Sequence, residues 1–130
     1  NSDAPLHREA VTWWEDCLSG DEPVGLAWSV ILGFLRVSTL PVLPAPLSCE
    51  AALTVVEDWL AQPSVVVLSP TTRHWVILRD LLAGSGTAGN LTSDAHLAAL
   101  ALEYDAVLCS TDHDFRRFEP ELKLLNPLRP

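Results

Sequence analysis

Asp94, Asp112 and Asp114, in the last third of the chain, are the residues whose type and spacing most readily do chemistry. Three carboxylates drawn into one small volume repel one another unless a cation lies between them. Hard oxygen ligands of this kind select Mg²⁺ or Mn²⁺. Each residue also has a purely structural reading. An acid in the first turn of a helix stabilises the helix dipole, which is sufficient reason for Asp94. Asp112 and Asp114 suit a turn, and a lone Asp-x-Asp carries little information. The combination says more: an acid at a helix start, then a strand, then Thr111-Asp112-His113-Asp114-Phe115. Thr111 can hydrogen-bond a ligand carboxylate or serve as a turn hydroxyl. Arg116 and Arg117 can hold flanking phosphates or stand as solvated surface cations. His96 and His113 are not assigned to catalysis, because water held on a metal needs no imidazole base.

The elements that position these residues follow from periodicity. Leu6, Ala10, Trp13, Trp14 and Cys17 recur at helical spacing, with Ser2 or Asp3 to cap and Gly20 to stop. A second helix is expected from about Val24 to Val37, with Trp28, Ile31, Leu32 and Leu35 facing inward. The prolines at 41, 44 and 46 make the next stretch an extended loop. Ser48 caps a third helix, Cys49 to Ala61. Ser64 to Leu68 is short, β-branched and unalternating, as a buried parallel strand should be. Ser69-Pro70 reads as the cap and first residue of a helix whose apolar face is Trp75, Leu78, Leu81 and Leu82. The Gly-rich stretch after it lacks a following Gly-Lys-Ser/Thr, so it reads as a connector and not a P-loop. Thr92-Ser93-Asp94 starts a helix over Ala95 to Tyr104. Ala106 to Cys109 is a second strand, and Lys123 to Leu125 a last extended piece.

Helices alternating with short apolar strands predict an α/β domain with a small parallel sheet. In such sheets ligands sit beyond the carboxyl ends of the strands, where the segment after Cys109 falls. The helix led by Asp94 runs antiparallel to the strand it feeds, so the three acids are expected to converge on one edge.

Composition narrows the class. The 130 residues suffice for one domain, and a hydrophobic fraction of 48% with five Trp can fill a core. No apolar run approaches the length of a membrane span, and no secretory or lipid signal is present, so no membrane partner is expected. Cys17, Cys49 and Cys109 are odd in number and lack any Cys-x-x-Cys pair, which suits a reducing cytoplasm and not a zinc or disulfide framework. Eight Lys and Arg against seventeen Asp and Glu give a net charge of −9. That charge is unusual for a protein that coats nucleic acid, because phosphate contacts rest on Lys and Arg. The chain opens at Asn1 in a turn-like stretch without an initiator Met.

The run Asp94-Ala95-His96-Leu97-Ala98-Ala99-Leu100-Ala101-Leu102-Glu103, followed by Leu108-Cys109-Ser110-Thr111-Asp112-His113-Asp114-Phe115-Arg116-Arg117-Phe118, resembles the C-terminal signature of PIN-domain ribonucleases. More narrowly it resembles the VapC toxins of bacterial toxin–antitoxin pairs, in the mycobacterial-type branch that ends near Asn126-Pro127-Leu128. Leu6-His7-Arg8 with Trp13-Trp14, Gly33-Phe34-Leu35-Arg36 and Val66-Val67-Leu68-Ser69-Pro70 fall in the expected order. The resemblance implies a single three-layer α/β/α PIN-like domain over residues 1–130, with a central N-terminal strand, carrying a further acidic ligand, expected to precede Asn1. Without that strand, the 130 residues alone are not expected to fold stably. It implies an endoribonuclease dependent on Mg²⁺ or Mn²⁺, with Asp94 and Asp112 as metal ligands and Asp114 as an auxiliary acid that binds through water or orients the nucleophile. It implies tRNA or ribosomal RNA as substrate, a cognate VapB-type antitoxin that brings a basic side chain to the acids, and a homodimer formed through the N-terminal helices. Trp13, Trp14 and Trp28 are candidates for that dimer contact or for core packing.

The sequence departs from the family at Gly33, where a further acid usually precedes the Phe-Leu-Arg segment. Gly33 favours an alternative, a degenerate PIN domain that binds antitoxin or RNA without cleaving. A third reading, another Mg²⁺-dependent phosphoryl-transfer enzyme, requires a nucleophilic Asp on a first strand with Thr or Val two residues on.

Overall fold

The computed structural model describes residues 3–86, 88–110 and 113–127, with the side chains of residues 3–8 and 113 outside that description. Among the described residues, five α-helices and four short strands follow in the order α1 Asp3–Ser19, β1 Val24–Ala27, α2 Trp28–Ser38, α3 Cys49–Ala61, β2 Val65–Leu68, α4 His74–Ser85, α5 Thr92–Glu103, β3 Leu108–Cys109 and β4 Leu124–Leu125. Short 3-10 turns precede α5 and occupy His113–Phe118. Two compact units result, Thr12–Leu68 and Asn1–Val11 with Ser69–Pro130.

In the Thr12–Leu68 unit, β1 and β2 pair in parallel, Val24 opposite Val65 through Ala27 opposite Leu68. This corrects the expected helix from Val24: its first four residues are a strand. The pairing with β2 decides the conformation, and Gly25 permits it. A Cβ there would stand 2.6 Å from Leu68 Cδ1 and 3.0 Å from its Cγ. The helix that follows turns Ile31 inward, 1% exposed, where it meets Leu26 and Val56. Trp28 and Leu32, expected inside, are 52% and 60% exposed, because the inner face of α2 centres on Ile31, Phe34 and Leu35. Trp14 meets Trp59 edge-on at 5.7 Å between ring centres, and Phe34 packs on Trp59 at 4.7 Å. Trp14 thus takes the core role. Ser48 caps α3 as anticipated, its hydroxyl accepting from the Ala51 amide at 3.0 Å; such a cap stabilises by about 1 kcal/mol. The β2 strand is less enclosed than an unalternating run suggests, since Val66 is half exposed.

The second unit is organised on α5. Ala95, Ala98 and Ala101 form one core with Phe115, Phe118 and Leu122, and Leu78, Leu81 and Leu82 of α4 pack against it. Alanine lets neighbouring elements approach the helix closely while losing no side-chain entropy. Phe115 and Phe118 are three residues apart, so the 3-10 turn places them on one side. The α5 helix closes in a Schellman arrangement: Ala106 N–H donates to Ala101 O at 2.8 Å and Asp105 N–H to Leu102 O at 3.3 Å. Asp105, with φ +50°, supplies the left-handed residue that glycine usually provides. Strands β3 and β4 pair in parallel, Leu108 with Leu124 and Cys109 with Leu125.

The α4 helix starts at His74, not at Ser69-Pro70. Long-range bonds hold the intervening residues in a non-helical path, as the site below shows. Trp75, expected on the apolar face, is 65% exposed, whereas Leu78, Leu81 and Leu82 do pack inward.

Candidate functional site

Asp94 stands in the first turn of α5, half-buried, where the helix dipole favours its charge. The next residue, Ala95, is fully buried in the same core cluster as Phe115. That apolar contact ties the start of α5 to the turn carrying Asp114, the residue before Phe115. Asp114 is exposed, and its backbone carbonyl accepts from Arg117 Nε at 3.2 Å. Arg116 and Arg117 are exposed at the end of this turn. Asp112 and Thr111 lie outside the described residues. Among the described residues, no three His, Cys, Asp or Glu side chains are grouped to hold a metal ion. The donors named from the sequence are nonetheless all carboxylates, a set that suits a hard divalent cation and not zinc.

Sequence reasoning missed a second cluster in the same unit, centred on Glu103. It is the buried charged residue of the described chain, its side chain 0% exposed. Glu103 Oε1 accepts from the Thr71 amide at 2.7 Å and from the Thr71 hydroxyl at 2.5 Å. Glu103 Oε2 meets His74 Nδ1 at 2.5 Å. His74 Nε2 lies 3.0 Å from His96 Nδ1, with the two rings edge-on. Arg73 reaches the Glu103 carbonyl at 2.5 Å, and Tyr104 donates to Ser69 O at 2.6 Å. These bonds explain why residues 69–73 do not join α4. The Thr71 amide and hydroxyl are committed to α5, and the hydroxyl also accepts from the Arg73 amide at 3.1 Å.

The only signal for this cluster in the sequence was spacing. His96 and Glu103 are seven residues apart, two helical turns, and so share a face of α5. Burial alone would push the Glu103 carboxyl up. Hydrogen bonds from the Thr71 hydroxyl, His74 and the Thr71 amide, with attraction to the His74 ring, outweigh burial and hold it below its ordinary value. Burial also lowers the His96 pKa, helped by His74 and opposed by Glu103.

An α/β chain with parallel strands, an acid opening its last α-helix and a second acid in the following turn is the architecture of a defined class. The PIN domain family matches residues 2–119, and this chain belongs to it. The α/β/α class expected from the sequence is that family's. The chain is 48% identical over 120 residues to ribonuclease VapC37 of Mycobacterium tuberculosis, covering 92% of this chain and 83% of that protein. It is 45% identical over 126 residues to ribonuclease VapC33 of the same species, covering 96% and 87%. VapC ribonuclease Mb2897 of Mycobacterium bovis is 42% identical over 115 residues, 88% of this chain and 78% of that protein.

Proposed function

We propose that this chain is an endoribonuclease toxin of the VapC kind, cleaving structured RNA in a reaction that needs Mg²⁺ or Mn²⁺. The observation that carries the reading is the match, over most of both chains, to proteins named as ribonucleases. Asp94, Asp112 and Asp114 would hold the ion. When bound, the ion supplies Lewis acidity, giving water of lowered pKa and neutralising charge on the phosphoryl oxygens. The chain does the positioning. The dipole of α5 favours the Asp94 carboxylate, and the Ala95–Phe115 core holds the two acid-bearing segments to one another. Thr111 orients a ligand carboxylate, and Arg116 and Arg117, exposed beside Asp114, take flanking phosphates.

The net charge of −9 favours a compact target, tRNA or a ribosomal RNA loop, over a general RNA-coating role. The same charge would attract a basic segment of a VapB-type antitoxin. RNA of these kinds places the reaction in the cytoplasm; among the described residues no helix is long and apolar enough to cross a membrane. A homodimer through the N-terminal helices would draw on Trp28, which is exposed, and not on Trp14, which packs on Trp59.

Cleavage of total tRNA and ribosomal RNA with Mg²⁺ or Mn²⁺, and with EDTA, tests the reading. Discrete fragments that vanish with EDTA and in Asp94→Asn and Asp112→Asn are expected. No cleavage from the folded, antitoxin-free protein would overturn it in favour of a binding module that does not cleave. Gly33 gives that second reading its footing: nothing lies within 4 Å of a Cβ built there, so packing does not demand a glycine. In that event Gly33→Glu is the variant to assay for restored cleavage.

A further inference from the structure

Two imidazole nitrogens meet between α4 and α5: His74 Nε2 and His96 Nδ1 stand 3.0 Å apart. A bare ring nitrogen only accepts, so two of them cannot share that distance unless a proton or a metal ion lies between. The ring centres are 4.9 Å apart, with the planes at 73°. Rings laid end to end on a 3.0 Å bond would hold their centres further apart, so at least one nitrogen is turned off the line joining the two. Nitrogens that share a metal ion are turned in this way, because each points at the ion and not at the other. Zinc holds histidine nitrogens at about 2.0–2.1 Å, which sets two of them about 3.3–3.4 Å apart around a tetrahedral ion. A side-chain movement of about 0.3–0.4 Å therefore turns this hydrogen bond into a pair of ligands.

The rest of the cluster is what such a ligand needs behind it. A histidine that binds a metal through one nitrogen donates its other N–H to a carboxylate or carbonyl, which fixes the ring and raises its basicity. His74 Nδ1 has that partner in Glu103 Oε2, at 2.5 Å. The carboxylate is itself immobilised. Its side chain is 0% exposed, and its other oxygen accepts from the amide and hydroxyl of Thr71. The α5 helix that carries His96 is set by Ala95 and Ala98, in the core that Leu78, Leu81 and Leu82 of α4 pack against. Both rings thus come from elements whose packing is already fixed. The His74 side chain is 13% exposed and His96 is half-buried, so water can reach the pair and complete a coordination sphere.

We propose that His74 Nε2 and His96 Nδ1 form a binding site for a divalent transition-metal ion of the zinc kind, with Glu103 as the carboxylate behind His74. The site is separate from the acids of the ribonuclease reading and does not rest on that reading. Imidazole nitrogen suits Zn²⁺, Ni²⁺ and Cu²⁺, whereas Mg²⁺ takes oxygen ligands, so the two sets of residues sort ions by donor chemistry. With two protein ligands and not the four of a structural zinc site, binding is reversible and of modest affinity. The ion acts as a clip. It binds the folded arrangement of α4 and α5 and stabilises it by mass action.

Zn²⁺ titrated into the intact protein, in buffer holding excess Mg²⁺, tests the site. Histidine-selective ¹⁵N NMR should show the His74 Nε2 and His96 Nδ1 signals moving together, and Tm should rise to saturation at one ion per chain. Mg²⁺ alone should move neither ring. His74→Asn keeps a donor toward Glu103 but removes Nε2, and His96→Leu removes the second nitrogen. Both should lose the Zn²⁺-dependent rise in Tm, while Asp94→Asn should keep it. Glu103→Gln should weaken Zn²⁺ binding about 10- to 100-fold, the range for loss of a partner behind a metal-binding histidine. Where His74→Asn or Glu103→Gln folds poorly, the ring signals of the wild type and the melt of His96→Leu still decide. His74 and His96 nitrogens that stay unmoved at saturating Zn²⁺, a Tm rise that survives in His96→Leu, or displacement of the Zn²⁺ by Mg²⁺ overturns the proposal. No arm reads RNA cleavage, so failure here and failure of the ribonuclease reading are separate results.

Discussion

The interior of the Thr12–Leu68 unit is made of large side chains, Leu26, Ile31 and Val56 with Trp14, Phe34 and Trp59 around them. It tolerates loose polar ends: Trp14 Nε1 and Ser38 Oγ are buried with no partner among the described residues. The other unit reverses both habits. Its core helix is lined with alanine, and Glu103, the buried charge among its described residues, has both carboxylate oxygens hydrogen-bonded by Thr71 and His74. Bulk without polar precision holds a scaffold together. Small residues around a carboxylate bonded at both oxygens hold a few atoms at fixed places, which is what a site demands.

The largest expected effect comes from removing that carboxylate. Glu103→Leu leaves the Thr71 amide and hydroxyl and the His74 N–H without their acceptor, and should cost about 3–5 kcal/mol in denaturant unfolding. A loss below about 1 kcal/mol would mean the cluster is peripheral to stability. Volume should matter in opposite senses on the two sides. Ile31→Ala should cost about 2–5 kcal/mol by leaving a cavity, and Ala98→Leu about 1–3 kcal/mol by overfilling the fully buried face of α5. If Ala98→Leu were neutral, the close approach at α5 would not be tight.

Titration should divide the units as well. Glu103 and His96 have lowered pKa values when folded, so the unfolded chain binds more protons and stability rises with pH. As pH falls below about 6.5 the His96 contribution is lost first, and below about 4.3 that of Glu103 goes as well. Cys17 behaves oppositely. Burial, then Asp16 and Glu22, raise its pKa, so the folded chain keeps the proton longer and stability falls as pH rises past about 8.5. Glu103→Gln should flatten the acid limb of a stability–pH curve and Cys17→Ala the alkaline limb; exchange of those effects would refute the division. The smallest changes are gains. Gly33→Ala should stabilise by about 0.5–1 kcal/mol, since a methyl meets nothing there. Ser38→Ala removes an unpartnered hydroxyl and should be neutral or slightly stabilising in the same melts.

Local signals were legible wherever local chemistry decided the outcome. Ser48 with the helix over Cys49–Ala61, the β-branched Val65–Leu68 strand and the Asp94-led α5 could all be read directly. The β1 strand could not. Val24 to Ala27 run without a break into a helical pattern, and only pairing with a strand some forty residues later selects the extended form. Ser69-Pro70 looked like a helix start for good local reasons, yet Glu103, more than thirty residues away, binds both the amide and the hydroxyl of Thr71 and holds that residue off the helix path. The acids proposed for the candidate site stood out in the sequence because carboxylates announce their chemistry. The residues around Glu103 did not, because a His on a helix face looks the same whether or not a buried carboxylate stands behind it.

The uneven spread of indoles gives this molecule a built-in optical readout. Trp13, Trp14, Trp28 and Trp59 lie in the Thr12–Leu68 unit, while the other unit carries Trp75 alone, exposed on α4 next to His74. Replacing the first four with phenylalanine would leave a single emitter beside the ring that joins Glu103 to His96. With that emitter, docking of antitoxin or RNA over the start of α4 could be followed as a colour shift in real time, without any added label.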